Sequence, residues 1–154
     1  MSLEIERKFL VADSSWKGDA TGTLYRQGYL SDVKERTVRV RIAGDRGFLT
    51  VKGMSRGLSR AEFEYAIPVE DAAAMLDGLC EKPLIEKTRY RVPFGAHTWE
   101  VDEFRGANAG LVVAEVELAK ADEQPALPPW VGLEVSRDAR YFNANLVKRP
   151  FTTW

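Results

Sequence analysis

Apolar and polar residues alternate with a period of two along much of the chain, as they do in β-strands with two unlike faces. The first such segment places Glu4, Glu6 and Lys8 on one face and apolar residues on the other. The alternating segments cover residues 3–9, 24–30, 37–42, 48–52, 60–67, 87–92, 99–103 and 114–118. Short turns separate most of them, which favours antiparallel neighbours and a closed or nearly closed sheet of about eight strands.

Two further segments have helical rather than strand-like spacing. Residues 69–79 carry Glu70 and Asp71 in the first turn and apolar residues at intervals of three and four, which predicts a helix. A second helix is predicted over residues 136–148, with the serine at its start as the cap. The segment before it contains Pro125, Pro128 and Pro129, and is therefore interpreted as a loop or a broken short helix.

The charged residues of the predicted strands are sorted by sign. Residues two apart on a strand share a face. The acidic pairs are Glu4 and Glu6, Glu62 and Glu64, Glu100 and Asp102, and Glu115 and Glu117, and the basic groups are Arg39 and Arg41, Lys52, and Lys87 with Arg89 and Arg91. A charged face on one strand is typical of a solvated sheet, but solvated faces usually mix signs because like neighbours repel. If the sheet closes with these faces inward, its lumen has a basic side and an acidic side.

A lumen of this kind fits a polyphosphate on its basic side and divalent cations on its acidic side. Clusters of carboxylates without histidine or cysteine select hard cations, which indicates Mg²⁺ or Mn²⁺. Arginine suits phosphate oxygens because its planar fork donates two hydrogen bonds at once. The pattern therefore favours metal-assisted phosphoryl chemistry.

Composition narrows the class of protein. The chain has 154 residues with 45% hydrophobic and 29% charged residues, and no repeat or linker interrupts it, so we expect one domain over residues 1–154. A formal net charge of −1 argues against a nucleic-acid partner. No apolar run is long enough to cross a membrane and the first residues are charged, so we expect a cytoplasmic protein with no membrane contact. One cysteine and one histidine make a zinc site improbable, and no P-loop motif is present.

The opening Glu4-Ile5-Glu6-Arg7-Lys8 resembles the ExExK signature of the triphosphate tunnel metalloenzymes, the CYTH superfamily. Further blocks that resemble the family come after it in the same order. They are Arg26-Gln27-Gly28-Tyr29-Leu30, Arg39-Val40-Arg41, Thr50-Val51-Lys52, Glu62-Phe63-Glu64, Glu86-Lys87-Thr88-Arg89-Tyr90, Asp102, Glu115-Val116-Glu117 and Arg140-Tyr141. The resemblance covers essentially the whole chain and is closest to the short bacterial branch, which resembles inorganic triphosphatases.

The resemblance implies a mainly β protein of the α+β class. Its core is an eight-stranded antiparallel β-barrel that forms a tunnel, with helices packed outside and a C-terminal helix near one mouth. By the same resemblance, Glu4, Glu6 and Glu117 hold the metal, and Glu62, Asp102 and Glu115 are candidates for a second metal or for orienting water. The substrate-binding residues implied are Lys8, Arg39, Arg41, Lys52, Lys87 and Arg89. Tyr29 and Lys8 are the implied catalytic residues that steer the attacking water, and we expect the arginines and the bound cations near Lys8 to lower its proton affinity.

The family includes several activities, and a fold alone does not choose among them. We expect a metal-dependent triphosphatase that acts on a small-molecule triphosphate, first of all inorganic tripolyphosphate, as a monomer or a homodimer. The alternatives are a class IV-type adenylyl cyclase, a thiamine triphosphatase, and a non-catalytic module that binds polyphosphate or nucleotide. Release of phosphate rather than cyclic AMP separates the first two activities, and turnover of any kind excludes the binding module.

Overall fold

The computed structural model describes residues 3–154. Within this range the chain forms nine strands and two α-helices. Their bounds are β1 Leu3–Val11, β2 Thr23–Ser31, β3 Arg36–Ala43, β4 Arg46–Gly53, β5 Ser59–Ile67, α1 Val69–Gly78, β6 Ile85–Phe94, β7 His97–Phe104, β8 Val112–Glu117, β9 Val131–Glu134 and α2 Asn143–Lys148. The eight segments that alternate in the sequence correspond to β1 to β8, with only residue 118 outside its strand, so these eight strands were predicted correctly.

Eight of the strands close into an antiparallel barrel in the order β5-β4-β3-β2-β6-β7-β8-β1. The seam is made by β1, which changes partner along its length. Its first residues pair with β5, where Glu4 lies opposite Arg60, and from Glu6 onward it pairs with β8, where Glu6 lies opposite Glu117. The ninth strand adds to the far end of β1, outside the ring of eight. The predicted mainly β fold with a closed eight-stranded barrel is therefore confirmed.

The outer face of the barrel carries the apolar core. Phe9 packs against Trp99 with 5.5 Å between ring centroids, and Trp99 meets Trp130 at 5.8 Å. Trp16 and Trp130, from the segments that follow β1 and precede β9, cover this cluster. Each large apolar side chain buried in this way stabilises the fold by about 1.5–3 kcal/mol. The burial that holds the barrel together is thus placed outside it, and the lumen is left to polar groups.

Helix α1 covers another part of the outer face. It begins after Pro68 with Glu70 and Asp71 in its first turn, where carboxylates interact favourably with the helix dipole. Ala72 and Leu76, one turn apart, are fully buried and pack against Val40 of β3. The helix therefore lies outside the barrel, as expected.

The C-terminal region differs from the prediction of one helix over residues 136–148. A 3-10 turn spans Ala139–Tyr141, Phe142 is extended with φ −70 and ψ 133, and α2 begins only at Asn143. The predicted cap does not form because the Ser136 hydroxyl accepts a hydrogen bond from the backbone N–H of Lys8 at 2.9 Å. Tyr141 is 8% exposed and packs with α2 against one end of the barrel, which confirms the expectation that a C-terminal helix lies at a mouth.

The segment that follows the prolines was also interpreted wrongly in part. Residues 131–134 form β9 rather than a loop or a broken helix. The strand exists because it pairs with β1, with Val131 opposite Val11 and Glu134 opposite Phe9. In the same region the Glu134 carboxylate accepts hydrogen bonds from Arg7 at 2.7 and 3.0 Å. No helix within residues 3–154 has the length and hydropathy required to span a bilayer.

Candidate active site

The charged faces of the strands point into the barrel, and the two signs occupy different sides. We define the acidic wall as the inward acids of β7, β8, β1 and β5, and the basic wall as the inward cations of β4, β3 and β6. The acidic wall consists of Glu100, Asp102, Glu115, Glu117, Glu4, Glu6, Glu62 and Glu64, and the basic wall of Lys52, Arg39, Arg41, Lys87 and Arg89. Strand β2, with neutral side chains facing inward, lies between β3 and β6. Lys8 of β1 and Arg60 of β5 are inward cations on acidic strands.

The larger cavity opens at the mouth formed by α2 and the loop between β4 and β5. Its volume is about 400 Å³, within the range of small-molecule sites. Six residues predicted for the site line this cavity. They are Glu4, Glu6, Lys8, Tyr29, Arg39 and Lys52. The structure therefore brings the ExExK signature together with part of the basic wall and with the tyrosine of β2.

The other predicted residues lie outside this cavity. Arg89 lines a smaller cavity of about 220 Å³, together with Tyr25 and Arg91. Arg91 is 65% exposed and bonds Glu100 at 3.0 Å, as expected of a residue at the rim. The remaining predicted residues line neither cavity. Of these, Arg41, Lys87, Asp102 and Glu115 have little exposed side-chain surface, Glu62 is half-buried and Glu117 is exposed.

The two arginines of β3 have hydrogen-bonding capacity to spare. Arg39 donates from Nη2 to the Thr50 hydroxyl at 3.2 Å, and both Arg39 and Arg41 reach one Glu64 oxygen at 3.4 Å. The Nε atoms of both arginines are buried without a partner among the described residues. Burial, followed by the charges of Arg39 and Arg89, lowers the pKa of Arg41 to about 10. A bound anion would supply acceptors for these donors and would relieve the repulsion between the guanidinium groups.

On β6 the basic wall is held by one buried carboxylate. Asp102 accepts two hydrogen bonds from Arg89, at 2.7 and 2.8 Å, and lies 2.8 Å from Lys87 Nζ. Burial lowers the pKa of Lys87 to about 8 despite this partner, because Arg89 adds repulsion. Asp102 is thus already neutralised by two cations, Lys87 and Arg89.

The acidic wall contains carboxylates with too few partners. Burial and the neighbouring Glu115 and Glu4 hold the pKa of Glu6 well above its usual value. Among residues 3–154, the cations nearest this wall form ion pairs with Glu4, Glu62 and Glu115, and none forms one with Glu6. Burial opposes ionisation of Glu4 as well, but Lys52, at 3.1 Å, lowers its pKa. The pKa values of Glu6 and Glu4 are therefore shifted in opposite directions, because an ion-pair partner lies beside Glu4 only.

The donor set of this wall fits a hard divalent cation, because it offers carboxylate oxygens and no sulfur or imidazole. Glu4, Glu6 and Glu117 lie on adjoining positions of β1 and β8, with Glu62 across the seam. No three acidic, histidine or cysteine side chains of residues 3–154 already converge in a coordination geometry. Instead, Glu4 and Glu62 turn towards Lys52, and Glu115 lies 3.7 Å from Lys8.

Lys8 and Tyr29 lie close to each other at the larger cavity. The Lys8 ammonium donates to the Tyr141 carbonyl at 3.1 Å, which ties the signature to the C-terminal region. Burial opposes protonation of Lys8, but Glu115 and Glu6 overcome it, and the pKa of Lys8 is raised. The acids around Lys8 thus outweigh the arginines, and the expected lowering of its proton affinity by bound cations stays a prediction.

Sequence reasoning missed two inward residues of β2. Tyr25 is 6% exposed, and its ring lies between two guanidinium groups, with Arg41 Cζ at 5.0 Å and Arg89 Cζ at 4.9 Å. Gln27 is fully buried, one inward position further along the strand. Tyr25 and Gln27 lie four and two residues before Tyr29, and this even spacing indicated that all three share one face of the strand. It was overlooked because neither side chain is charged.

A closed barrel with a charge-sorted lumen and an oxygen-only acidic wall defines a polyanion-binding protein of the tunnel class. The model of the CYTH domain matches residues 2–151. The chain belongs to the CYTH domain family.

Two inorganic triphosphatases are similar to this chain along nearly its full length. An inorganic triphosphatase of Acetivibrio thermocellus is 54% identical over 151 residues, which are 98% of this chain and 97% of that protein. An inorganic triphosphatase of Nitrosomonas europaea is 40% identical over 148 residues, which are 93% of this chain and 95% of that protein. A crystal structure of an inorganic triphosphatase superimposes with a TM-score of 0.67 at 35% identity, and covers 93% of this chain and 96% of that one.

Proposed function

We propose that this chain is a metal-dependent triphosphatase that hydrolyses inorganic tripolyphosphate to diphosphate and phosphate. The observation that carries the proposal is the sorted lumen, with unpaired arginine donors on one side and crowded carboxylates on the other. The relatives named inorganic triphosphatase support the choice of substrate. We further propose that residues 1–154 act as one domain, since the family match spans residues 2–151.

The basic wall would bind the phosphates. Arg39, Lys52 and Lys8 line the larger cavity and would take the phosphoryl groups nearest the mouth. Arg41, Lys87 and Arg89 lie deeper, and charge-assisted hydrogen bonds to phosphate oxygens from these groups contribute about 1.5–3 kcal/mol each. Asp102 and Glu64 keep the deeper cations in place, so little reorganisation is needed when the substrate binds.

The acidic wall would hold Mg²⁺ or Mn²⁺ through Glu4, Glu6 and Glu117, with Glu62 and Glu115 as further oxygen donors. A divalent cation bound there neutralises charge on the phosphoryl oxygens and favours deprotonation of water. Lys52 is the ion-pair partner of Glu4 and Glu62 and would turn to the substrate when these acids bind the cation.

Tyr29 and Lys8 would orient the attacking water. Tyr29 is 6% exposed and lines the larger cavity beside Lys8, where a phenol can hold water without adding charge. The Lys8 ammonium lines the same cavity and would donate hydrogen bonds to phosphate or water. Water would attack a terminal phosphorus, and diphosphate would leave.

A substrate panel tests the proposal. Tripolyphosphate, ATP and thiamine triphosphate would each be supplied with Mg²⁺ and with Mn²⁺, and released phosphate and cyclic AMP would both be measured. We expect the highest kcat/KM for tripolyphosphate, no cyclic AMP, and no turnover in excess chelator. Faster formation of cyclic AMP from ATP would replace the triphosphatase by a cyclase, and absence of turnover with bound ligand would leave a binding module.

A further inference from the structure

The side chain of Gln27 has no hydrogen-bond partner although it is fully buried. Its relative exposure is 0%, and neither Nε2 nor Oε1 bonds any group of residues 3–154. Buried amides are almost always satisfied, because an unpaired polar group in the interior carries a desolvation penalty. An amide left free at this depth therefore indicates a partner that arrives with a ligand.

The register places Gln27 one inward position from a residue that lines the larger cavity. On β2 it shares the inward face with Tyr25 and Tyr29, and Tyr29 lines the cavity. Across β3, Tyr29 lies opposite Arg39 and Gln27 lies opposite Arg41. Gln27 is thus one layer deeper than Tyr29, beside an arginine of the basic wall.

Unpaired donors collect in this layer. Gln27 Nε2 and Arg41 Nε are buried without an acceptor among the described residues, on facing positions of β2 and β3, and Arg39 Nε is likewise unpaired one inward position nearer the mouth. Donors that lack acceptors are satisfied by a group with several acceptor oxygens, which describes a phosphoryl group, and a water bound with it would donate to the unpaired Gln27 Oε1. The Gln27 amide is neither a nucleophile nor an acid or base, so we assign it a role in binding.

A neutral donor suits this position better than another cation. Arg41 lies between Arg39 and Arg89 in the basic wall, and Tyr25 already separates two of these guanidinium groups. A further positive charge would add to their mutual repulsion when the lumen is empty, whereas an amide supplies two N–H donors without charge.

We propose that Gln27 is a further substrate-binding residue, whose amide N–H groups bond the innermost phosphoryl group of a bound inorganic triphosphate together with Arg41. The inference rests on the proposed function for the identity of the ligand. It assigns a contact that the charge pattern of the sequence did not reveal.

Substitution of Gln27→Met tests the proposal, because methionine has nearly the same length and no polar group. We expect KM for tripolyphosphate, and Kd measured without turnover, to rise about tenfold, the loss of one typical hydrogen bond. In the absence of ligand, removal of an unsatisfied amide is expected to leave Tm unchanged or to raise it by about 2–4 °C. If Gln27 only supported the fold, Gln27→Met would lower the Tm of the free protein and leave KM and Kd unchanged.

Thr88→Val is the matched control. Thr88 is also a buried polar residue, but it faces outward on β6 and its hydroxyl accepts a hydrogen bond from Arg105 Nε at 3.0 Å. We expect this variant to lower the Tm of the free protein and to leave KM and the Tm gain on addition of tripolyphosphate unchanged. Gln27→Glu is the second variant, since a carboxylate facing phosphate should weaken binding more than methionine does.

The outcomes are separable. The proposal is overturned if Gln27→Met keeps the parental KM and ligand-induced Tm gain, or if it lowers the Tm of the free protein as Thr88→Val does. If Gln27→Met does not fold, parental affinity in Gln27→Glu overturns it. If the parent binds tripolyphosphate but does not hydrolyse it, the proposed function fails, and Gln27 is then judged from Kd and the Tm gain alone.

Discussion

The acidic and basic walls of the lumen differ in how they are stabilised when no ligand is bound. The basic wall is partly satisfied from within the protein, because Asp102 pairs with Lys87 and Arg89 and Glu64 reaches both arginines of β3. The acidic wall has fewer such partners. Lys52 serves both Glu4 and Glu62, and Lys8 lies beside Glu115, whereas the pKa of Glu6 is raised well above its usual value by burial and by other carboxylates.

This difference indicates which component each wall needs. The cations can be held in position by buried acids and still keep spare donors such as the Nε atoms of Arg39 and Arg41, so the basic wall is preorganised for an anion. The carboxylates around Glu6 repel one another until a cation binds. The acidic wall therefore depends on a cation that the chain does not supply. We therefore expect substitutions in the acidic wall to affect activity and stability in opposite directions, and those in the basic wall to affect mainly substrate binding.

The largest effect is expected from Glu6→Gln. Loss of a carboxylate at the centre of the acidic wall should lower kcat/KM for tripolyphosphate by more than about a thousandfold, because several kcal/mol of charge stabilisation depend on the bound cation. The metal-free variant should melt at a higher temperature than the parent, since one of the crowded carboxylates is removed. Kinetics with excess Mg²⁺ and calorimetry in chelator measure the two effects.

Glu86→Gln, an exposed outward position of β6, is the control. Full activity of Glu6→Gln would remove the acidic wall from the mechanism.

A smaller effect is expected from Arg41→Ala in the basic wall. The loss of a buried forked donor should cost about 1.5–3 kcal/mol of binding to the phosphates, or roughly a 10- to 150-fold fall in kcat/KM. Arg41→Lys should restore only part of it, because a point charge cannot reproduce the fork. Arg46→Ala, at the exposed first residue of β4, should be neutral. If Arg41→Ala and Arg39→Ala both kept parental kinetics, the basic wall would not bind substrate.

The smallest effect is expected from Tyr29→Phe, on the neutral strand between the two basic ones. Loss of the hydroxyl should lower kcat by about tenfold with little change in KM, the pattern of an interaction made in the transition state. Tyr65→Phe, 59% exposed on the outside of β5, controls for loss of a phenol elsewhere. An unchanged kcat would not affect the roles assigned to the two walls, but it would show that Tyr29 only packs at the mouth.

Much of the fold could be predicted from the sequence because the signals are local. Alternation with a period of two is a property of neighbouring residues, and it located β1 to β8 and grouped the acids of β1 and the arginines of β3 on single faces. Helix α1 was predicted for the same reason, with its acidic first turn and apolar stripe. The like charges on each strand even indicated that these faces point inward.

The tertiary structure decided what depends on residues far apart in the chain. Ser136 caps no helix because it bonds Lys8, 128 positions away, and β9 forms because β1 offers a free edge. The direction of the Lys8 pKa shift and the free amide of Gln27 depend on which groups the closed barrel places beside them. Periodicity along one strand predicts which face a side chain occupies. The partner it meets across the lumen is fixed only when the ring closes and eight strands adopt one register.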